Sequence, residues 1–226
     1  MHDTTVAALY LDSLSNPNNK ICLANSGALI AYSGQYTGRK PDWKHFVKNE
    51  IYDKINPNTQ NKTISETVFR KAKMLAVDYI ENISEYNNLY RQETSYIIDS
   101  YINWHPRLKC FIRFHTTNPY HALFFKNMTI ACDKMHEADS INLTIYDAGV
   151  IPYDKDNEYD KEGLVGFNLR TDEIVILGTE YAGEIKKGMF TFMMYKMPLL
   201  NYLPLHSSAN IGLNNDVTLF FGLSNR

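Results

Sequence analysis

Residues 164–197 read LVGFNLRTDEIVILGTEYAGEIKKGMFTFMMYKM, and the order of patterns within them sets the architecture. Two short apolar runs, Leu164 to Leu169 and Glu173 to Leu177, are separated by Thr171-Asp172, a pair suited to a tight turn. The spacing predicts a hairpin whose open end delivers Gly178-Thr179-Glu180-Tyr181. A helix is then predicted over Glu184 to Met197, with Ile185, Met189, Phe192, Met193 and Met197 on one face and Pro198 as its stop. Lys186 and Lys187 fall near its start, where a cation opposes the helix dipole. The ordinary reading is two solvated surface lysines; the functional one is a cationic pair kept for a specific anion or metal.

Working outward, Thr5 to Ser13 reads as a short helix and Ala28 to Tyr32 as a short strand running into Ser33-Gly34-Gln35. From Ile64 to Ile83 the residues Ile64, Val68, Ala72, Leu75, Ala76, Tyr79 and Ile83 recur at three and four, which predicts a core helix. Ser65 before it is half of a capping signal. Strands are predicted at Ser95 to Ile102, Lys109 to His115 and Leu143 to Ala148, and the mixture reads as an α+β (mixed α/β) fold. Downstream, Tyr202 to Phe221 reads as two strands around Leu213-Asn214-Asn215-Asp216. The continuous apolar run Val217 to Phe221 is of the kind expected to be buried on both faces.

Composition limits the function classes. The 226 residues are 44% hydrophobic, enough for one sizeable core, and 23 Lys and Arg against 25 Asp and Glu give a formal net charge of −2. No overall field would draw such a chain to nucleic acid or to an anionic membrane, so any anion must be held by a local site. Residues 1–14 carry Asp3 and Asp12 and lack the basic start and apolar run of a targeting segment. A cytoplasmic protein is expected. Cys22, Cys110 and Cys132 are far apart, with no paired spacing, and are expected to be buried free thiols. The Asn-x-Ser/Thr sequons starting at Asn61, Asn82, Asn127 and Asn142 carry no functional weight in such a protein.

Three blocks of sequence carry a family resemblance. The run Gly178 to Gly188 with Phe190-Thr191, the run His206-Ser207-Ser208-Ala209-Asn210-Ile211-Gly212, and Asp216 to Ser224 together resemble ATP-type phosphoenolpyruvate carboxykinase, in the family's order. Upstream, Gly27-Ala28-Leu29, Tyr36-Thr37-Gly38-Arg39-Lys40-Pro41 and His121-Ala122-Leu123-Phe124 with Asn127-Met128 are similar to further family segments. Lys40, Tyr120 and Ser207 stand where the family has serine, tryptophan and cysteine, and Asn103-Trp104-His105-Pro106 replaces a Gly-Ala-Asp-Pro type segment.

The resemblance implies a substrate-binding domain over residues 1–201 and the first strands of a nucleotide-binding domain over 202–226. It implies decarboxylation of oxaloacetate and phosphorylation of the enolate by ATP, giving phosphoenolpyruvate, CO2 and ADP. Arg39, Tyr181 and Lys187 would bind substrate, and Lys186 and Lys187 would serve catalysis. Lys187 and His206 would be ligands of Mn²⁺ or Mg²⁺, which requires a neutral lysine amine with a strongly depressed pKa, helped by the adjacent Lys186. Gly222, Leu223 and Ser224 would open the phosphate-binding loop. The loop lysine and an aspartate metal ligand that the family carries further on are not among these 226 residues, so the isolated chain is expected to be inactive. The alternatives are a non-catalytic dicarboxylate or metal-binding module, and a relic that packs against a partner chain through Val217 to Phe221.

Overall fold

The structure, a computed structural model, describes residues 4–16, 21–55, 61–82, 95–132, 141–149, 151 and 162–222. The chain divides into two compact units, Met1–Gly188 and Met189–Arg226.

In the first unit, α1 (Val6–Ser15) starts at Thr5, whose hydroxyl accepts from the Ala8 amide. A small antiparallel ribbon, β1 (Ile21–Leu23) and β2 (Leu29–Ala31), follows. Then come β3 (Lys44–Val47), α2 (Glu50–Ile55), β4 (Lys62–Ile64) and α3 (Glu66–Glu81). Ser65 caps α3 by accepting from the Val68 amide at 3.2 Å, the bond its position predicts. Its buried face is Val68, Phe69, Ala72, Ala76 and Ile80; Ile83 lies outside the described residues. The helix covers β4, β9 (Leu164–Asn168) and β10 (Glu173–Leu177) through a cluster that includes Ile64, Leu164, Val175 and Leu177. Gly166 leaves room there, since a Cβ would meet the Phe69 ring at 3.3 Å.

The remaining strands are β5 (Tyr96–Ile102), β6 (Cys110–Thr116), β7 (Ile130–Ala131) and β8 (Ile141–Asp147). Together with β3, β4, β9 and β10 they form an eight-stranded mixed sheet in the order β4-β3-β9-β10-β8-β6-β5-β7. The β9–β10 hairpin is antiparallel, and Asp172 takes φ 54° at its turn. The helix α4 (Pro119–Met128) packs on β6 through the Phe114–Phe125 stack at 4.6 Å. Its start is chemically explicit: Asn118 Oδ1 accepts from the amides of Tyr120 and His121, and Pro119 occupies the first turn.

One row of paired residues crosses the sheet: Thr116 on β6, Asp147 on β8, Ile176 on β10, Val165 on β9 and Lys44 on β3. Because β6, β8 and β10 run parallel, their carboxyl ends meet at this row, and β3 begins there. The segments leaving it are those that carry the site, as expected for ligand sites at the carboxyl ends of parallel strands.

The helix α5 (Gly183–Leu199) continues past Pro198, correcting the expectation that proline stops it. Pro198 sits in the last turn, and the chain leaves the helix at Asn201, whose φ is 64°. The amides of Leu200 and Tyr202 both donate to the Met197 carbonyl there. In the second unit, β11 (Ser208–Ile211) and β12 (Val217–Phe220) pair antiparallel around the expected turn, with Asn215 at φ 60°. Here burial differs from expectation: Val217 to Phe221 are exposed on both faces of the ribbon, because none of the described residues of this unit covers either face. The described cysteines form no disulfide, and of the three expected to be buried only Cys110 is; Cys22, on the two-stranded ribbon, is exposed.

Candidate active site

The loop before β3 carries Arg39, and each end of it is anchored by a different interaction. The Tyr36 hydroxyl donates to Glu162 Oε2, and the Tyr36 ring meets Trp43 edge-on at 4.9 Å between centroids. Trp43 packs closely on Gly163, where a Cβ would come within 2.3 Å of the indole. Between these anchors the Lys40 backbone N–H donates to Glu184 Oε1 at 2.7 Å, and Lys40 Nζ sits 4.4 Å over the Tyr36 ring. The Arg39 guanidinium is exposed, so it is held by its backbone and left available to an anion.

Glu184 belongs to the first turn of α5 and is buried. Burial pushes its carboxyl above the usual range, opposed by the Lys40 N–H and the charges of Arg39 and Lys44. Lys44 is shifted down, first by burial and then by Arg39, with Glu184 pulling the other way. Lys187 is also shifted down, by burial, then Arg39, then Lys186. Arg39, Lys44, Glu184, Lys186 and Lys187 therefore share one field, with four cations and a single buried carboxylate. Such a field favours an anion.

Tyr181 leads into α5. Its amide donates to Thr179 Oγ1 at 3.0 Å, and its ring covers Gly183 so closely that a Cβ there would lie 2.3 Å from Cε1. The preceding Gly178, at φ 78°, brings its backbone against Glu162; a Cβ would stand 2.1 Å from that carbonyl oxygen. Glu180 reaches the tip of the Arg39 loop, where a Cβ on Gly34 would come within 2.5 Å of Oε2. Behind this segment His121 is buried, with Nδ1 2.6 Å from Asp147 Oδ2 and Nε2 2.8 Å from the Glu180 carbonyl oxygen.

A phosphoenolpyruvate carboxykinase family model matches residues 1–226. This chain belongs to that family. It is 42% identical over 223 residues to the ATP-type phosphoenolpyruvate carboxykinase of Eremothecium gossypii, covering 96% of this chain and 39% of the relative. Against the Saccharomyces cerevisiae enzyme of the same description it is 39% identical over 224 residues, again 96% of this chain and 39% of the relative. The chain thus spans about 39% of the length of these curated relatives.

Of the residues the family motifs single out, Arg39, Tyr181, Lys186 and Lys187 fall within the first unit. His206 belongs to the second, exposed on the segment before β11, its ring 5.1 Å from that of Phe190. Gly222 is exposed, and Leu223 and Ser224 lie outside the described residues. Of the residues the motifs assign to a divalent metal, Lys187 in the first unit has its pKa lowered by burial and by the charges of Arg39 and Lys186, and His206, in the second unit, carries an imidazole of a kind that suits such a metal. Among the described residues no group of three or more His, Cys, Asp or Glu could hold a metal by itself. No helix among them is long and apolar enough to cross a membrane.

Sequence reasoning passed over Lys44, Glu184, His121 and Asp147. Glu184 left a signal: an acid next to a helix start, two residues before a lysine pair, is the natural counter-charge for them. The pairing of His121 with Asp147 left none, because the two lie on different elements 26 positions apart.

Proposed function

We propose that this chain is the substrate-binding part of an ATP-dependent phosphoenolpyruvate carboxykinase, a carboxy-lyase of gluconeogenesis acting in the cytoplasm on oxaloacetate and ATP. The observation that carries the reading is the Lys40–Glu184 bond, which ties the Arg39 loop to the helix turn bearing Lys186 and Lys187.

Arg39 grips a carboxylate of oxaloacetate through paired N–H donors, fixing the orientation in which the neighbouring carbon–carbon bond breaks. The electron pair of that bond passes into the enolate as CO2 leaves. The enolate oxygen then takes the γ-phosphoryl group of ATP, and ADP departs. Tyr181, its ring set on Gly183, presents its phenol to the substrate. Lys186 and the Lys187 region supply the positive field in which enolate charge develops. Lys187 and His206 are the residues that would hold Mn²⁺ or Mg²⁺, which when bound stabilises negative charge on oxygen.

Calorimetric titration of the purified chain with oxalate, a stable dicarboxylate, tests this. Saturable binding that Arg39→Gln weakens about tenfold or more supports it, as expected for loss of a charged bidentate contact. Oxalate binding indifferent to Arg39 would sink it.

A further inference from the structure

His121 contacts a backbone carbonyl oxygen, which can only accept, and a carboxylate, which accepts in its ionised form. The Glu180 carbonyl oxygen has no proton to give, so the 2.8 Å contact requires a proton on Nε2. Asp147 Oδ2 lies 2.6 Å from Nδ1 and also receives the Thr116 hydroxyl at 3.2 Å, while Oδ1 receives the Gly149 amide at 3.4 Å. A carboxylate that already takes these bonds takes the Nδ1 proton too. Both ring nitrogens then carry protons, and the ring is an imidazolium.

That charge is in an unfavourable place on two counts. Both side chains are 1% exposed, and His121 stands in the first turn of α4, where the helix dipole disfavours a cation. Its survival there depends on Asp147. Among the described residues, the charged groups facing the ring are Asp147 from β8 and Glu180 from the segment before α5, with Tyr120 from α4 itself and Thr116 from β6 as polar neighbours.

We infer that His121 is a positioning residue: as an imidazolium anchored on Asp147, it holds the Glu180 carbonyl and so sets the backbone from which Tyr181 and α5 start. The role of that setting in dicarboxylate binding rests on the proposed function; the protonation state and the pinning do not. The shift of the group agrees: burial alone would lower its pKa, and the Asp147 charge and hydrogen bonds, with the Glu180 carbonyl, raise it above the ordinary histidine value. Tyr120, next to His121, is shifted up by burial and then by Tyr181, so the same first turn of α4 also lies beside the tyrosine it helps to place.

The test is side-chain ¹⁵N NMR on the full chain, with the His121 signals assigned by their loss in His121→Gln. Two protonated ring nitrogens persisting above the pH at which an ordinary histidine is neutral support the inference. A single ring proton at about pH 7 overturns it. Asp147→Asn is the second variant, because its amide can donate to a neutral Nδ1 and keep the ring in place without the charge. Expected there is a neutral ring and amide exchange over residues 179–182 faster by about tenfold, the difference between a charged and a neutral hydrogen bond. Exchange unchanged in Asp147→Asn overturns the pinning. Failure of the unmodified chain to bind oxalate, with both NMR results intact, would count against the proposed function alone.

Discussion

The backbone N–H of Lys40 donates to Glu184 Oε1 across 2.7 Å, joining positions 144 residues apart. The bond fixes the middle of a loop whose two ends are anchored through Tyr36 and Trp43, and it does so from the helix turn that carries the lysine pair. Removing the acceptor should release the loop, whereas an isosteric amide should keep it. Glu184→Ala is expected to weaken oxalate binding about tenfold, and Glu184→Gln to recover most of the loss, both read by calorimetry. Equal losses in both variants would show that the charge of Glu184, rather than its bond to the loop, is what matters.

The same carboxylate gives a pH dependence of definite sign. Its folded pKa lies above the unfolded value, so the folded state binds the extra proton, and stability from this group falls as pH rises through that window. The contribution is fully present below the unfolded value of about 4.3 and lost as pH climbs past the raised folded one. Glu184→Gln lacks this titration. Urea denaturation between about pH 4 and 7 should show the wild type losing ground to Glu184→Gln as pH increases. The opposite slope would mean the buried carboxylate is stabilised in its ionised form.

Two glycines, Gly178 six residues before this acid and Gly183 immediately before it, separate conformation from contact. Gly178 sits at φ 78° with a Cβ position 2.1 Å from the Glu162 carbonyl oxygen, so Gly178→Ala is strained and collides with backbone. A loss of roughly 2 kcal/mol or more is expected by thermal or chemical denaturation. Gly183 has no such strain, and its obstacle is the movable Tyr181 ring. Gly183→Ala should therefore leave stability unchanged or raise it by up to about 1 kcal/mol, through helix propensity, while displacing Tyr181 and weakening oxalate binding. A variant that loses stability but binds normally would refute the placement of that ring.

How far these relationships could be read beforehand varies with their range. The α3 helix declares itself through apolar spacing and Ser65, and the β9–β10 hairpin through Thr171-Asp172, because both signals are local. Strands β3 and β4 carry too short a pattern to be read: they have four and three residues, β3 is held by parallel pairing to the distant β9, and β4 pairs with β3. The α4 helix did leave a local mark in Asn118-Pro119, an N-cap followed by proline at the first position. For the site, motif resemblance singled out Arg39, Tyr181, Lys186 and Lys187; of their supports, Glu184 left a local mark beside the lysine pair, whereas the pairing of His121 with Asp147 joins separate elements and appears only in the folded chain.

Lys187 offers a test of the shared field. Its pKa is lowered from 10.5 by burial first, then by Arg39, then by Lys186. Removing either neighbouring charge should raise it, with Arg39→Gln acting more strongly than Lys186→Gln, and neither restoring the ordinary value because burial remains. Reductive ¹³C-methylation followed by NMR titration reads the lysine directly. A larger rise in Lys186→Gln would place Arg39 further from Lys187 than the electrostatics require.

The last prediction concerns turnover. The decarboxylation half of the proposed reaction needs an oriented carboxylate and nearby cations, a role the proposal gives to Arg39 and Lys186 within the first unit. The phosphoryl half needs a lysine and backbone amides around the γ-phosphate, and these 226 residues contain no Gly-x-Gly-Lys-Thr run to supply them. The purified polypeptide, given oxaloacetate, ATP and Mn²⁺, is expected to form no phosphoenolpyruvate above the uncatalysed background in a coupled assay, while still binding oxalate. Binding without turnover is also what a dicarboxylate-binding module would show. The two are separated by supplying the rest of the family sequence in frame: restored turnover that Arg39→Gln abolishes belongs to a carboxykinase, and continued inactivity belongs to a binding module.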